Sequence, residues 1–81
     1  MYYVYILICS DKKTYIGCTQ NTEERLKRHS LGHVPATKNR LPIKLFSYFA
    51  FQDKYTAFSF EKFLKSGSGR AWLKKRVFNN L

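Results

Sequence analysis

The segment Tyr15-Ile-Gly-Cys-Thr-Gln-Asn-Thr-Glu-Glu-Arg-Leu-Lys-Arg-His29 decides how the rest of the chain is arranged. Its first residues have the pattern of a β-strand, and the polar and acidic residues after Gly17 mark the start of a helix. Arg25 and His29 are four residues apart on this helix, so their side chains share one face. A phenol, a guanidinium and an imidazole therefore lie near one spot, a combination that can hold a phosphate and move protons around it.

The residues before this segment predict the first strand of a hairpin. Residues 2–9 form an unbroken apolar run that is too short for most buried helices, which indicates a central strand covered on both faces. A polar turn over residues 10–13 connects it to the next strand in an antiparallel hairpin. Tyr5 and Tyr15 then lie within cross-strand reach of each other. Gly17 predicts a bulge or a close backbone approach.

The residues after this segment predict a basic loop, a third strand and two further helices. Residues 31–42 have Gly, Pro and cationic residues without periodicity, which is typical of a loop, and residues 43–51 have the composition of a strand. Residues 55–65 predict a helix. Its apolar face is formed by Ala57, Phe60, Phe63 and Leu64. Residues 66–69 then form either a cap shared with the last helix or a turn that holds a phosphate on free amides.

Length and charge restrict the kind of protein. Eighty-one residues are enough for one small domain and too few for two cores. Fifteen Lys and Arg residues against five Asp and Glu residues give a net charge of +10, which attracts polyanions, most simply nucleic acid. Solvated lysine faces or an anionic membrane surface are the alternatives. No signal peptide and no apolar run of about 18 residues is present, so we expect a cytoplasmic protein.

The cysteines argue against a secreted, disulfide-bonded protein. Cys9 and Cys18 are too few to staple a small domain, so a reducing compartment is expected. Together with His29 and His33 they make a formal zinc-ligand set. Eight residues between the cysteines are too many for a usual zinc knuckle, and both lie in predicted strands. We therefore interpret them as small buried hydrophobic residues.

Glu61 has an unusual position for a carboxylate. It comes four residues after Ala57 and three before Leu64, at the edge of the apolar face of its helix. A partly desolvated carboxylate needs a cation or a metal ion. Arg25 could supply that charge in a structural ion pair, and such a pair does not exclude a chemical role for either residue.

The ordered set of Tyr3-Val4-Tyr5, nine intervening residues, Tyr15-Ile16-Gly17, Arg25 and a helical Glu61 resembles the GIY-YIG nuclease family. The similarity is greatest to small stand-alone bacterial members and extends from residue 2 to about residue 75. Two departures stand out. The first motif has Tyr-Val in place of Gly-Ile before its tyrosine, and no Asn follows Glu61 where some members have one, since Asn79 and Asn80 are at the terminus.

The resemblance implies a three-stranded antiparallel sheet flanked by helices, in an enzyme that cuts phosphodiester bonds of DNA, or less readily RNA, in repair or recombination. It also implies one divalent ion, Mg²⁺ or Mn²⁺. The implied site residues are the motif tyrosines Tyr5 and Tyr15, the phosphate-binding Arg25, His29 as an assistant to a tyrosine or to the attacking water, and the metal ligand Glu61. A single carboxylate ligand predicts weak metal binding before substrate completes the site.

In addition to Arg25, the predicted nucleic-acid interface contains five cationic residues. They are Lys38, Arg40, Arg70, Lys74 and Lys75. Each is equally compatible with a solvated surface position. The tyrosines also have a packing interpretation, preferred for Tyr2 and Tyr3, and His29 could be an exposed residue at a helix end. A non-catalytic nucleic-acid-binding module and a protein-interaction domain are therefore the alternatives to a monomeric nuclease.

Overall fold

A three-stranded antiparallel sheet and three helices form the protein in the computed structural model, which describes residues 1–78. The elements are β1 (Tyr2–Ile8), β2 (Thr14–Thr19), α1 (Thr22–Ser30), β3 (Lys44–Phe51), α2 (Lys54–Lys65) and α3 (Gly67–Arg76). This confirms the predicted α/β (α+β) fold class, and each strand matches its predicted bounds to within one residue. Asn79 and Asn80, which the sequence places at the terminus, lie outside the described residues.

Strand β1 is the centre of the sheet, as its unbroken apolar run predicts. The strand order is β2-β1-β3, and both neighbours are antiparallel to β1. Val4 and Ile6 are fully buried on the face covered by α2 and α3. Tyr5 and Leu7 are buried on the opposite face, because side chains alternate along a strand. The β1–β2 register places Tyr5 directly across from Gly17.

The hydrophobic core lies between the sheet and the α2–α3 pair. Buried aliphatic side chains from the sheet, α2 and α3 form its centre: Val4, Ile6, Ile16, Ala57, Leu64 and Leu73. Phe49, Phe60 and Trp72 surround this centre with ring centroids 4.9–6.3 Å apart. The prediction that Phe63 faces the sheet is wrong, because its side chain is 38% exposed and packs on Phe60 and Trp72 at the margin of the core.

Polar side chains cap each helix at its start. Asn21 accepts a hydrogen bond from the Glu24 amide at α1, where polar and acidic residues predict a helix start, and Asp53 accepts from the Thr56 amide at α2. Ser66 ends α2 and caps α3 by accepting from the Gly69 amide, so the Gly-rich segment is a shared cap. Within residues 1–78, no helix has the length and apolar character needed to cross a membrane.

Candidate active site

A buried chain of three hydrogen-bonded side chains forms the inner part of the site. The Oη atom of Tyr5 in β1 lies 2.9 Å from Nε2 of His29 in α1. The Nδ1 atom of the same imidazole lies 2.7 Å from Oγ1 of Thr37, in the turns that follow α1. Tyr5 is 1% exposed, and His29 and Thr37 are fully buried. The alternative of an exposed helix-end histidine is therefore excluded for His29.

The ring of Tyr15, in strand β2, packs beside these hydrogen-bonded side chains. Its ring centroid lies 6.3 Å from that of Tyr5 and 5.2 Å from that of His29. The predicted cross-strand contact of the two motif tyrosines is thus present. Tyr15 is only half-buried, so it connects the buried residues to the surface.

Gly17 makes room for the phenol of Tyr5. A Cβ atom at this position would overlap the Oη and Cζ atoms of Tyr5, so only glycine allows the ring to lie across strand β2. Of the two predicted roles of Gly17, the close approach is correct. The register irregularity of the sheet lies instead between β1 and β3, at Ile6 and Leu7.

Burial controls the acid–base properties of the inner residues. Burial, and then the neighbouring Tyr15, raise the pKa of Tyr5 to about 12, while the positive charge of Arg25 acts in the opposite direction. Burial also lowers the pKa of His29, and the charges of Arg25 and Arg28 lower it further. Both effects favour a neutral phenol and a neutral imidazole at pH 7 in the free protein.

Arg25 lies in α1 and Glu61 in α2. The charges of both act on the same two groups, since Glu61 raises and Arg25 lowers the pKa values of Tyr5 and Cys18, after burial as the main cause in each case. Oε2 of Glu61 pairs with Nζ of Lys65 at 3.1 Å, so this lysine, one turn along α2, is its cationic partner in place of Arg25.

Five cations line an open groove of about 830 Å³ between the β1–β2 turn and α3, with Tyr15 in its wall. This cationic groove contains Lys12, Lys13, Arg40, Lys65 and Arg70. Two of the predicted interface residues, Arg40 and Arg70, are among them. Arg40 also pairs with Asp11 at 2.8 Å, which fixes the loop against the hairpin turn. Lys38, Lys74 and Lys75 are exposed and do not line the groove.

A second open groove, of about 590 Å³, lies beside α1 and the start of α2. Arg25 and Arg28 of α1 and Lys54 of α2 line it, together with the exposed ring of Phe58. We refer to it as the Arg25 groove. Tyr15 thus lines one basic groove and Arg25 lines the other.

The formal zinc-ligand set does not come together. Among residues 1–78, no three His, Cys, Asp or Glu side chains form a group that could hold a metal ion. Both ring nitrogens of His29 bond to protein hydroxyls, and His33 is exposed in the loop. Cys9 is buried and Cys18 partly buried, and burial is the main cause of the raised pKa of each thiol.

Sequence reasoning missed Thr37 and three cations of the groove. Thr37 comes from the aperiodic segment after α1, where no pattern distinguishes a buried hydroxyl from a solvated one. Lys12 and Lys13 come from the β1–β2 turn and Lys65 from the end of α2, and only folding brings them together. Their common signal in the sequence is no more than the net positive charge.

Comparison with known proteins identifies sequences related to this chain. The sequence model of the GIY-YIG catalytic domain matches residues 1–76. The UPF0213 protein YsiG of Lactococcus lactis subsp. lactis is 45% identical over 65 residues, which are 79% of this chain and 62% of that protein. The UPF0213 protein CPE1444 of Clostridium perfringens is 42% identical over 66 residues, covering 80% of this chain and 71% of that one. The chain thus spans less than two thirds of the first relative's length.

A solved structure has the same fold. The solution NMR structure of the UPF0213 protein BH0048 from Bacillus halodurans superposes with a TM-score of 0.56 and 33% sequence identity. The alignment covers 99% of this chain and 93% of that one. The protein therefore shares its fold with this UPF0213 protein.

Proposed function

Because this chain belongs to the GIY-YIG family, we propose that it is an endonuclease that hydrolyses phosphodiester bonds in DNA, or less readily in RNA. The observation that carries the proposal is the contact of Tyr5, Tyr15 and His29, with Tyr15 lining one basic groove and Arg25 lining another. The charges of Arg25 and Glu61 both act on Tyr5. Hydrolysis needs a positioned phosphate, an attacking water and a way to move its proton, and these residue types supply such functions.

Glu61 can act as a ligand for one divalent ion, Mg²⁺ or Mn²⁺. Within residues 1–78 only its Oε2 atom has a hydrogen-bond partner, which leaves Oε1 for a cation. Mg²⁺ is commonly held by one or two carboxylates, waters and substrate phosphates. When bound, such an ion neutralises charge on the phosphate and stabilises the leaving oxygen. One carboxylate binds it weakly until a substrate phosphate is present.

The chain's own residues bind the phosphate and handle the proton. Arg25 offers a planar, permanently charged fork for the scissile phosphate. Tyr15, half-buried beside the cationic groove, can reach a bound strand. The phenol of Tyr5 is a poor base at its raised pKa, so its phenolate needs the Arg25 charge and the His29 contact to form. Together these groups assist attack by water.

The cationic groove is the proposed main interface for the nucleic acid. Cations from the hairpin turn, the loop and both α2 and α3 face one open channel, as phosphate binding requires. The Arg25 groove offers the nucleic acid a second basic surface. Lys38, Lys74 and Lys75 lie outside both grooves and would contact phosphates farther from the cut.

The deciding experiment incubates the purified protein with single-stranded, nicked, branched and plasmid DNA in Mg²⁺, Mn²⁺ or EDTA. We expect metal-dependent cutting of at least one substrate. Glu61→Gln and Arg25→Lys should each lower kcat/KM by roughly 100-fold or more. Glu23→Gln is the matched control, because Glu23 is an exposed carboxylate on α1. Absence of cutting, or equal cutting by the Glu61 and Arg25 variants, would overturn the proposal.

A non-catalytic nucleic-acid-binding module is the second candidate. The Glu61–Lys65 pair favours it, because Glu61 already has a cationic partner within the protein. This candidate predicts salt-sensitive binding that EDTA leaves unchanged, and a loss of binding in Arg70→Gln but not in Glu61→Gln.

We also propose the oligomeric state and the compartment in which the protein acts. We expect a single monomeric domain in the cytoplasm, where the thiols of Cys9 and Cys18 remain reduced. Light scattering of the purified protein tests the monomer.

A further inference from the structure

The Arg25 groove brings aromatic and cationic side chains together. Arg25 and Arg28 are three residues apart on α1, and Lys54 and Phe58 are four residues apart on α2, so each pair shares one face of its helix. Half-buried Tyr2 adds a second aromatic side chain to the lining. The volume of about 590 Å³ is within the range of roughly 300–1,000 Å³ that is usual for ligand sites. The groove can therefore hold a ligand of the size of a nucleotide.

The ring of Phe58 is not used by the hydrophobic core. Phe58 is 48% exposed, whereas Ala57, the residue before it, is fully buried. Phe60 and Phe63 of the same helix pack on Trp72, but within residues 1–78 the ring of Phe58 packs on no other aromatic ring and is outside the core cluster. A single exposed apolar residue is ordinary on a protein surface. Phe58 differs in that it lies among cations.

The lining of the Arg25 groove has an excess of positive charge. Its three cations, Arg25, Arg28 and Lys54, stand against one carboxylate, that of Glu24. Among residues 1–78 none of these cations is in a salt bridge, so each is available to a ligand. Cations attract the phosphates of a nucleic acid, and a flat exposed ring offers a surface on which a base can stack. The combination is typical of grooves that bind unpaired nucleotides.

We propose that the Arg25 groove binds one unpaired nucleotide, with its base stacked on the ring of Phe58 and its phosphate held by the cations of the groove. A base inside a duplex is stacked between its neighbours, so only an unpaired or flipped-out base can present a face to Phe58. The inference rests on the proposed nuclease function in one respect. Since Arg25 is the proposed ligand of the scissile phosphate, the bound nucleotide adjoins the cut, and the preferred substrate is a single strand or the unpaired arm of a branched duplex.

The first test measures binding in EDTA and needs no activity. Fluorescence anisotropy reports the affinity for a short labelled single strand, and competition by a covalently closed circular duplex reports the affinity for paired DNA. Phe58→Ala should weaken single-strand binding roughly 5- to 100-fold, as expected for one lost base–aromatic stack, and leave duplex binding unchanged. Phe58→Trp should retain the affinity. Phe58→Leu, which is apolar but has no flat face, should lose nearly as much as Phe58→Ala.

Tyr48→Ala is the matched control, because Tyr48 is an exposed aromatic residue of β3 outside both grooves. It should bind the single strand as the wild type does. Full single-strand affinity in Phe58→Ala would overturn the proposal. Full affinity in Phe58→Leu would also overturn it, because an apolar contact without stacking would then be enough, as for a protein or peptide partner.

A fluorescent base tests the stack directly in the wild type. The fluorescence of 2-aminopurine in a single strand falls further when the base stacks on an aromatic ring. We expect quenching on binding to the wild type and to Tyr48→Ala, and its loss in Phe58→Ala. Absence of quenching at every position of the base along the strand would overturn the proposal, even if the Phe58 variants fail to fold.

The second test compares cleavage of single-stranded, branched and covalently closed duplex DNA in Mg²⁺ or Mn²⁺. Phe58→Ala should raise KM for the first two substrates and change kcat little, because stacking binds the substrate without taking part in the chemical step. Equal cutting of all three substrates, unchanged in Phe58→Ala, would overturn the nucleotide subsite and leave the nuclease function standing. If no substrate is cut but single-strand binding still depends on Phe58, the nuclease function is wrong and the subsite stands.

Discussion

Tyr5 combines the burial of a core residue with a contact that belongs to the site. Its ring is packed between strands and helix α1, and its oxygen meets the imidazole of His29. A buried phenol resists ionisation, because the phenolate loses its hydration. The same burial that fixes the position of the oxygen therefore makes its ionisation harder, and the surrounding donors have to compensate.

The raised pKa of Tyr5 predicts a loss of stability at alkaline pH. The phenol ionises near pH 10.0 in the unfolded chain and at about 12 in the folded protein, so unfolding releases a proton in this range. The contribution is complete below pH 10 and is lost as the pH rises towards 12. It amounts to about 2–3 kcal/mol in the free energy of unfolding. Urea denaturation at pH 9, 10, 11 and 12 measures it.

Tyr5→Phe is the control for this measurement. Its free energy of unfolding should fall less steeply between pH 10 and 12, because phenylalanine has no proton to release. Parallel pH dependences of the wild type and Tyr5→Phe would show that Tyr5 is not the group responsible.

At the residue scale, the side chains of the motif could be predicted from the sequence. The buried residue that hydrogen-bonds to one of them could not. Arg25 and His29 are predictable because helical periodicity places residues four apart on one face. The burial of His29 is not predictable from that periodicity, since it depends on Thr37, eight residues later in a segment without regular structure. A distant contact of this kind depends on the path of the loop, which local composition does not define.

Among the elements, the β1–β2 hairpin controls the geometry of the site through its register. Pairing Tyr5 with Gly17 places the phenol over the one position of β2 that has no side chain. A shift of one residue would put Ile16 or Cys18 across from Tyr5 and reverse the faces of the strand. The second motif thus requires glycine at this position because any side chain there would overlap Tyr5.

Gly17→Ala should displace the ring of Tyr5 and weaken its contact with His29. We expect the free energy of unfolding to fall by about 1–3 kcal/mol, as in other overpacked interiors, and cleavage to fall with it. Chemical denaturation and the cleavage assay measure the two effects. Gly67→Ala is the matched control, because a Cβ atom there meets nothing within 4 Å and should leave stability equal or slightly higher. A Gly17→Ala protein as stable as the wild type would contradict this account.

At the element scale, most of the fold could be predicted. Strand β1 was recognisable because an apolar run without alternation requires cover on both faces, and α1 because Asn21 and two acidic residues mark its start. The error at Phe63 has a physical cause. Helical spacing identifies an apolar stripe but not how far the neighbouring helix α3 extends over it, and here Trp72 covers one side of the ring and leaves the other exposed.

Over the whole molecule, the net charge of +10 becomes informative when its distribution is known. Five of the cations surround one groove, and the carboxylates nearest to them, Asp11 and Glu61, are each paired with a cation of that groove. A field of this form attracts a phosphate backbone and depends on ionic strength. Composition predicts a polyanionic partner, and the structure shows which surface carries the positive charge.

Removing two groove cations should reduce the salt dependence of nucleic-acid binding. The double variant Lys13→Gln/Arg70→Gln changes opposite walls of the cationic groove. The slope of log Kd against log salt concentration should decrease in magnitude by about 1.4–1.8, because each lost phosphate contact contributes about 0.7–0.9. Fluorescence anisotropy with labelled DNA and EDTA present measures this slope.

The control for this experiment is the double variant Lys44→Gln/Lys62→Gln. It removes the same net charge from exposed positions outside both grooves. Its slope should stay close to that of the wild type. Equal changes in slope for the two double variants would mean that binding depends on the total charge alone and not on a defined surface.

The separation between the buried Tyr5–His29–Thr37 chain and the exposed groove cations has a consequence for evolution and for protein engineering. Lys12, Lys13 and Arg70 occupy a turn and a helix surface, so they can be exchanged with little effect on the interior. On the proposed nuclease function, libraries randomised at these positions should therefore yield folded variants with altered target preference while the buried side-chain contacts stay intact.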